Sequence, residues 1–332
     1  MLPVISLSWP SDKQCMLFYK DYPVEFLQVD QETPCTIYFP QGDNLIMLVP
    51  KQALVSVQHI DFLRERNIAT IYVHTRERKA MEHYMARHLD KILGDQSVPP
   101  KIKAEIFYST SSYAMEQVLE DPRAETIGDM KKTIRGMLNH IVSNKVVLSD
   151  LFTITAHDYY TYHHCLNVGI FATALAYKFY GDKDPDNDIE RLSYGFFLHD
   201  IGKSKVPKEI LTKPDKLSAE EWQIMKQHPQ WGYNILMQTG HLTDEAAYIA
   251  LEHHEQINGS GYPNGIKGTM IHPCARICAI VDMFDALTTD RPYKPALKPF
   301  DALRYMRQHL IYGFDPSYLE TFILLLSPKP TP

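Results

Sequence analysis

An apolar run, FFLHDIGK, ends in His199 and Asp200 and is followed at once by Gly202 and Lys203. Imidazole and carboxylate groups are costly to bury unless each finds a partner. The same chain carries His164, His228, the adjacent pair His253 and His254, and Asp282. Each falls where helical periodicity calls for an apolar side chain. A lone histidine in such a place is satisfied by one hydrogen bond. Seven such groups would need seven separate partners, and an unpaired buried charge costs several kcal/mol. Shared cations satisfy all of them together, because divalent metals accept imidazole nitrogen and carboxylate oxygen in mixed sets. Adjacent helical residues diverge by about 100°, so His199 and Asp200 cannot point the same way. A two-metal site uses that divergence, with the histidine on one ion and the carboxylate bridging both. His253 and His254 can likewise wrap around one ion. Seven ligands exceed what one ion takes if positions are to stay open for water. Two ions about 3.5–4 Å apart suit hydrolysis of a phosphate ester.

The elements that must position these groups lie in the second half of the chain. TYHHCLNVGIFATALAYKFYGD places His164, Val168, Phe171 and Leu175 on one stripe and stops at Gly181. A helix is expected over about 188–200, with Asp186 or Asn187 available to cap it. Ser218 and Glu221 have capping-box spacing, with Leu217 and Trp222 as a hydrophobic staple. That helix must end near His228, because Pro229 disfavours helical geometry before it and suits the first turn of the next helix. A further helix opens near Thr243 and carries His253 and His254 near its end. A last strongly apolar helix over about 273–288 carries Asp282 and Asp285. No alternating pattern is visible here, so the half reads as a helical bundle.

The first half has another texture. The β-prone runs CTIYF, NLIMLV and ATIYVH are separated by turn residues and by the helical HIDFLRERN. From about 79 to 120 the pattern is helical, broken at Pro99, Pro100 and Pro122. No catalytic grouping is visible. The expected fold is a small α+β domain over 1–120, a linker helix over 121–149 and an all-α catalytic domain over 150–332. Ile127, Met130, Ile134, Met137 and Ile141 follow the 3-4 spacing of a packed helix pair. That seam packs either within the chain or in a homodimer through the 125–148 helix.

With 332 residues, 45% of them hydrophobic, the chain can bury a core in each of two domains. A net charge of -6 argues against nucleic-acid polymers and acidic membranes as general partners. Five cysteines form no framework and read as reduced thiols. Cys274 and Cys278 read as core fillers. The N-terminal residues lack the pattern of a signal peptide, and no apolar run reaches the length of a membrane span. A cytoplasmic protein is expected.

Three stretches carry a resemblance. HDIGK matches the signature of the HD superfamily of metal-dependent phosphohydrolases. HHEQINGSGYP, 253–263, is similar to the defining motif of its HD-GYP branch, and DMFDALTTDRPYK, 282–294, to that branch's next segment. The resemblance covers roughly 150–310. It implies a bacterial signalling phosphodiesterase converting cyclic di-GMP to linear pGpG and often GMP, with a metal-activated hydroxide as nucleophile. It also implies His164, His199, Asp200 and Asp282 around one ion, with Asp200 bridging to a second held by His228, His253 and His254. Lys203 would meet a phosphate or the leaving oxygen. Arg291 and Lys294 would grip substrate phosphate, and Asp285 would face the same site. Some relatives hold a third metal through a glutamate one turn before the first histidine. Here that place is Tyr160, a poor ligand at neutral pH, so two ions are expected, with iron or manganese preferred.

The loop over 257–273 is long for a connector, and long loops in compact domains tend to be functional. Gly259 and Gly261 would let backbone approach a ligand closely, and Tyr262 would stack on a base or shape the pocket wall. By resemblance, the GYP residues 261–263 also serve protein partners. Lys203 and Lys205 follow the ligand pair directly, whereas Lys208, Lys213 and Lys216 read as a solvated face. Two other functions stay open: a cyclic di-GMP receptor with little turnover, and a phosphodiesterase for hybrid cyclic GMP-AMP.

Overall fold

The computed structural model describes residues 6–8, 18–42, 44–96, 98–143, 161–181, 188–240, 242–290 and 295–327. The chain divides into two compact units, Met1–Thr110 and Ser111–Pro332.

The first unit is built on an antiparallel sheet. Its strands are β1 (Ser6–Ser8), β2 (Tyr19–Pro23), β3 (Ile37–Gln41), β4 (Asn44–Val49) and β5 (Thr70–His74), in the order β1-β4-β3-β5-β2. β3 to β5 arise from the three β-prone runs; β2, YKDYP, alternates too weakly to be legible as a strand. Alternation puts Ile37, Phe39, Ile71 and Val73 on the buried face. They share the core with Ile60 and Leu63 of α1 (Val57–Glu65) and Met81 and Met85 of α2 (Arg78–Gly94). Buried Glu82 is paired with Lys20 at 3.1 Å and Arg78 at 2.7 Å. A third helix, α3 (Pro100–Glu120), carries the unit boundary within it.

In the second unit helices are the regular secondary structure of the described residues, joined by loops. It contains α4 (Ala124–Ser143), α5 (Thr161–Tyr180), α6 (Ile189–Leu198), α7 (Lys208–Leu211), α8 (Ala219–Met225), α9 (His228–Thr239), α10 (Asp244–Glu252), α11 (Pro273–Thr288), α12 (Pro299–Tyr305) and α13 (Pro316–Leu326). Short 3-10 turns and a π-helical turn over Met306–Leu310 complete it. The helical bundle behind an α+β unit agrees with the fold class read from the sequence. Two details differ from expectation. Asp188, and neither Asp186 nor Asn187, caps α6, its side chain accepting from the backbone of Glu190 and Arg191. The apolar stretch after residue 288 adds α12 and α13, so α11 is not the last helix.

On α4, Ile127, Met130, Ile134 and Leu138 are buried within the chain, and the helix packs on α6 and α5. Arg135 adds a 2.7 Å ion pair to Glu190. The core of this unit runs from Val168, Phe171 and Leu175 of α5 through Phe196 to Ile277, Ile280 and Phe284 of α11. Gly169 makes this possible: a Cβ there would occupy the ring of Phe197, so only glycine lets α5 and α6 lie so close. Cys35, Cys165, Cys274 and Cys278 are buried and free. Among the described residues, no helix is long and apolar enough to cross a membrane.

Candidate metal centre

Three of the histidines sit where helices stop. His199 is the C-cap of α6 and His253 the C-cap of α10, while His228 opens α9 just after α8 ends. Helix ends leave carbonyls without an intrahelical partner. Each imidazole uses Nδ1 to donate to the carbonyl three residues earlier: His199 to Phe196 at 2.9 Å, His228 to Met225 at 2.7 Å, His253 to Ala250 at 2.9 Å. A carbonyl only accepts, so the proton is on Nδ1 and Nε2 presents a lone pair. His164, in the first turn of α5, has its Nδ1 proton held another way. Its Nδ1 lies 2.8 Å from Asp285 Oδ2, and Asp285 in turn accepts from Asn167 Nδ2 at 2.9 Å.

These Nε2 atoms converge. Nε2 of His164 and Nε2 of His199 are 3.3 Å apart, as are Nε2 of His228 and Nε2 of His253. Asp200 lies between the two pairs. Its Oδ1 is 3.2 Å from His228 Nε2 and 3.7 Å from His253 Nε2, and its Oδ2 is 3.5 Å from both His164 Nε2 and His199 Nε2. Asp282 closes the group, with Oδ1 3.2 Å from His164 Nε2 and Oδ2 3.6 Å from His254 Nδ1. Three ligand sets result, Asp200 with His228, His253 and His254, His164 with His199 and Asp282, and Cys165 with His199 and Asp200; within each, one ligand atom per residue lies within 4.8 Å of the others. The facing Nε2 lone pairs of His228 and His253 repel at this separation unless positive charge lies between them. Asp200 Oδ1 is buried without a hydrogen-bond donor, since the nearest nitrogens carry their protons on the far side of the ring. The donor set therefore fits divalent cations.

The electrostatics agree. Burial opposes a charged His164, yet hydrogen bonds to Asp282 and Asp285 carry its pKa up to about 10. Burial alone dominates at His199, pushed down to about 3, and lowers His228 and His254 as well. Burial works against ionised Asp200, but the Lys203 ammonium and surrounding imidazoles hold its carboxyl well below the usual range. Asp200 and Asp282 are thus kept ionised and His199, His228 and His254 neutral, the protonation states that ligands require, whereas His164 is a cation that must give up its Nε2 proton to bind a metal.

Lys203 is bonded to Asp200 Oδ2 and faces the cavity at the same time. Burial disfavours its charge, but Asp200 raises its pKa, so it stays an ammonium. Gly202 is required beside it, because a Cβ would strike the His228 carbonyl and the Gly232 nitrogen. That close approach brings Asp200 and His228 to one point. Tyr262 stacks on His254 at 4.6 Å between ring centroids and meets the Trp222 ring edge-on at 6.1 Å. The GYP loop returns over the histidine pair, with Tyr262 N donating to the His254 carbonyl at 3.2 Å. Gly261 makes its close approach to the backbone of residues 254–256, the protein's own chain. Glu255, buried, holds the loop by accepting from Asn264 N at 2.7 Å and Gly265 N at 3.0 Å. Arg291, Lys294, Tyr160 and Met137's side chain lie outside the described residues.

A cavity of about 590 Å³ opens onto this cluster. His164, His228, His254, Asp282, Asp285 and Lys203 line its inner part, and Lys213, Lys216 and Trp222 its outer part. The sequence reading of Lys213 and Lys216 as a merely solvated face is therefore incomplete. The roles of Asn167 and Glu255 were not visible in the sequence; each acts through a contact to a distant segment.

A family model described as "HD domain" matches residues 160–318. The chain is 36% identical over 176 residues to the cyclic di-GMP phosphodiesterase PA4108 of Pseudomonas aeruginosa, covering 53% of this chain and 42% of that one. It is 30% identical over 249 residues to the 3'3'-cGAMP-specific phosphodiesterase 3 of Vibrio cholerae, covering 71% of this chain and 51% of that one. The chain thus spans about half the length of these curated relatives. The solved structure of Bd1817, an HDG"Y"P protein from Bdellovibrio bacteriovorus, shares the fold with a TM-score of 0.64 at 21% identity, over 93% of this chain and 99% of that one.

Proposed function

Residues 160–318 being an HD domain, we propose that the chain is a metal-dependent phosphodiesterase that opens cyclic di-GMP to linear pGpG, with GMP as a further product. The observation that carries this reading is the two close pairs of imidazole Nε2 atoms, each at 3.3 Å, with Asp200 between them, at the floor of a cavity. Two cations, iron or manganese by the mixed nitrogen and oxygen ligands, would be held by His164, His199, Asp200 and Asp282 and by Asp200, His228, His253 and His254. Bound there, they would supply Lewis acidity for the phosphate oxygens and lower the pKa of a water. Hydrolysis adds that water across one phosphodiester P–O3' bond: its oxygen joins phosphorus, and a proton ends on O3'. Lys203 is the chain's own donor at the cavity floor, placed to hydrogen-bond the leaving oxygen. Asp285 holds His164 in the ligating tautomer. Arg291 and Lys294 are assigned to the substrate phosphates by resemblance.

The test uses protein purified without oxygen and loaded with iron or manganese. Linear pGpG from cyclic di-GMP, with about two metal ions per chain, supports the reading. Tight binding of cyclic di-GMP without product would favour a receptor. Turnover of 3'3'-cGAMP alongside cyclic di-GMP would favour a broader cyclic dinucleotide hydrolase, an alternative suggested by the name of the Vibrio relative.

A further inference from the structure

The outer wall of the cavity is a folded segment, 213–222, that the metal chemistry does not use. Glu221 pins it from both ends. Its carboxylate accepts from Ser218 N at 2.6 Å, closing the capping box of α8, and from Lys213 Nζ at 2.6 and 2.8 Å. Asp215 lies inside the segment so fixed and lines the cavity with Lys216 and Trp222. Trp222 is 43% exposed and presents a large aromatic surface two rings out from the ligand His254, through Tyr262. Asp215 is exposed, and among the described residues its carboxylate has no hydrogen-bond or ion-pair partner. The other carboxylates of the wall are spoken for: Asp282 belongs to the ligand set and Asp285 to His164 and Asn167.

A free carboxylate is the wrong charge for a cavity that binds phosphates, and it weakens binding unless the ligand offers it donors. Guanine does, presenting N1–H and N2–H side by side on its Watson–Crick edge, whereas adenine presents an acceptor at N1. Bases taken out of a duplex are recognised by stacking on aromatic side chains and by hydrogen bonds to that edge. We propose that Asp215 and Trp222 form a guanine-reading subsite in the cavity's outer wall, Asp215 accepting from N1–H and N2–H and Trp222 stacking on the base. The inference rests on the cyclic dinucleotide reading and narrows its substrate class to ligands with at least one guanine. A single such subsite admits both cyclic di-GMP and 3'3'-cGAMP. It holds the hybrid in one orientation, so one of its two phosphodiester bonds is cut and one linear isomer forms.

The metal-loaded full chain is assayed with cyclic di-GMP, cyclic di-AMP and 3'3'-cGAMP, as wild type, Asp215→Ala and Trp222→Leu. The subsite predicts a kcat/KM at least tenfold higher for cyclic di-GMP than for cyclic di-AMP, and a single linear isomer from 3'3'-cGAMP. Asp215→Ala should collapse both preferences, giving near-equal rates and a mixture of isomers. Trp222→Leu should raise KM for all three ligands and leave the isomer preference in place, with Trp222→Phe restoring KM. Wild type that ignores the base, or Asp215→Ala that keeps full discrimination, overturns the proposal. Where no ligand is hydrolysed, the ratio of dissociation constants for cyclic di-GMP and cyclic di-AMP in wild type and Asp215→Ala decides it by the same criterion. Loss of the hydrolase reading is thereby separated from loss of the subsite.

Discussion

Each ligand's chemistry is set by the atom behind it. His199, His228 and His253 have their tautomers fixed by backbone carbonyls, which no substitution removes. His164 differs, because its Nδ1 depends on the side chain of Asp285. Outer-shell partners of this kind raise ligand basicity, and their loss costs about 10–100-fold in metal affinity. Asp285→Asn should therefore weaken metal binding by about that factor while leaving helicity unchanged. Competition with a chromophoric chelator reads the first, and far-ultraviolet circular dichroism the second. Unaltered affinity would return Asp285 to the substrate-contact role that the resemblance implies. A sharper effect is expected at Asp200, whose two oxygens face both imidazole pairs. Asp200→Asn should reduce bound metal below one ion per chain by elemental analysis. Much of this site was legible beforehand, because polar residues at apolar helical positions are a strong signal. What stayed hidden was the division of labour. Asn167 reads as one more residue of an apolar helix, and its bond to Asp285 spans 118 positions. Such a contact leaves no periodic trace.

Helix boundaries matter here because they place the imidazoles. The helix end expected near His228 falls at Met225, and the freed Met225 carbonyl is what His228 binds. Strong caps such as Ser218 with Glu221, and breakers such as Pro229, are local and could be read. Where a helix frays between two signals is decided by tertiary partners and could not. The same holds for α13. Its N-cap Asp315 accepts from Ser317 N at 3.1 Å and pairs with Arg276 of α11 at 2.5 Å, so one carboxylate both starts a helix and docks it. Partial burial opposes the charge of Asp315, but the Ser317 hydrogen bonds and Arg276 lower its pKa below the usual value. A carboxyl with a depressed folded-state pKa stabilises the fold fully above its unfolded pKa of about 3.9. That contribution is lost as pH falls through the folded value. Asp315→Asn should accordingly lower the unfolding midpoint at pH 7, and the gap to wild type should close as the pH drops below about 3.9. A gap that persists in acid would mean that the packing of α13, and not the ion pair, accounts for the difference. At Gly202 the element scale is steric. Gly202→Ala would push the turn at 201–205 away from α9, separating Asp200 from His228. Overpacking of this kind costs about 1–3 kcal/mol, and here it should also lower metal content.

For the second unit as a whole, the candidate metal centre joins α5, α6, α9 and α10 at or beside their ends to α11 through Asp282 within it. Of those helices, α5, α6, α10 and α11 already share an apolar core, so the fold does not depend on ions in the way a zinc finger does. The cluster nevertheless strains that core, because the Nε2 lone pairs of His228 and His253 face each other at 3.3 Å and a buried oxygen of Asp200 lacks a donor. Cations that bind the folded state alone relieve this and stabilise by mass action, about 2.7 kcal/mol at a free concentration of 100 times the dissociation constant. Stripping the protein with a chelator should lower its thermal midpoint, and adding back manganese should restore it in a concentration-dependent way. His253→Ala is the informative control. Removing that ligand abolishes one facing pair, so the metal-free variant should lose less stability than a buried truncation ordinarily costs, and manganese should barely shift its midpoint. A chelator-independent midpoint in wild type would mean that the helices, not the ions, hold these side chains together. The ligands would then be arranged by the fold before any metal arrives, and metal content would follow supply and not stability.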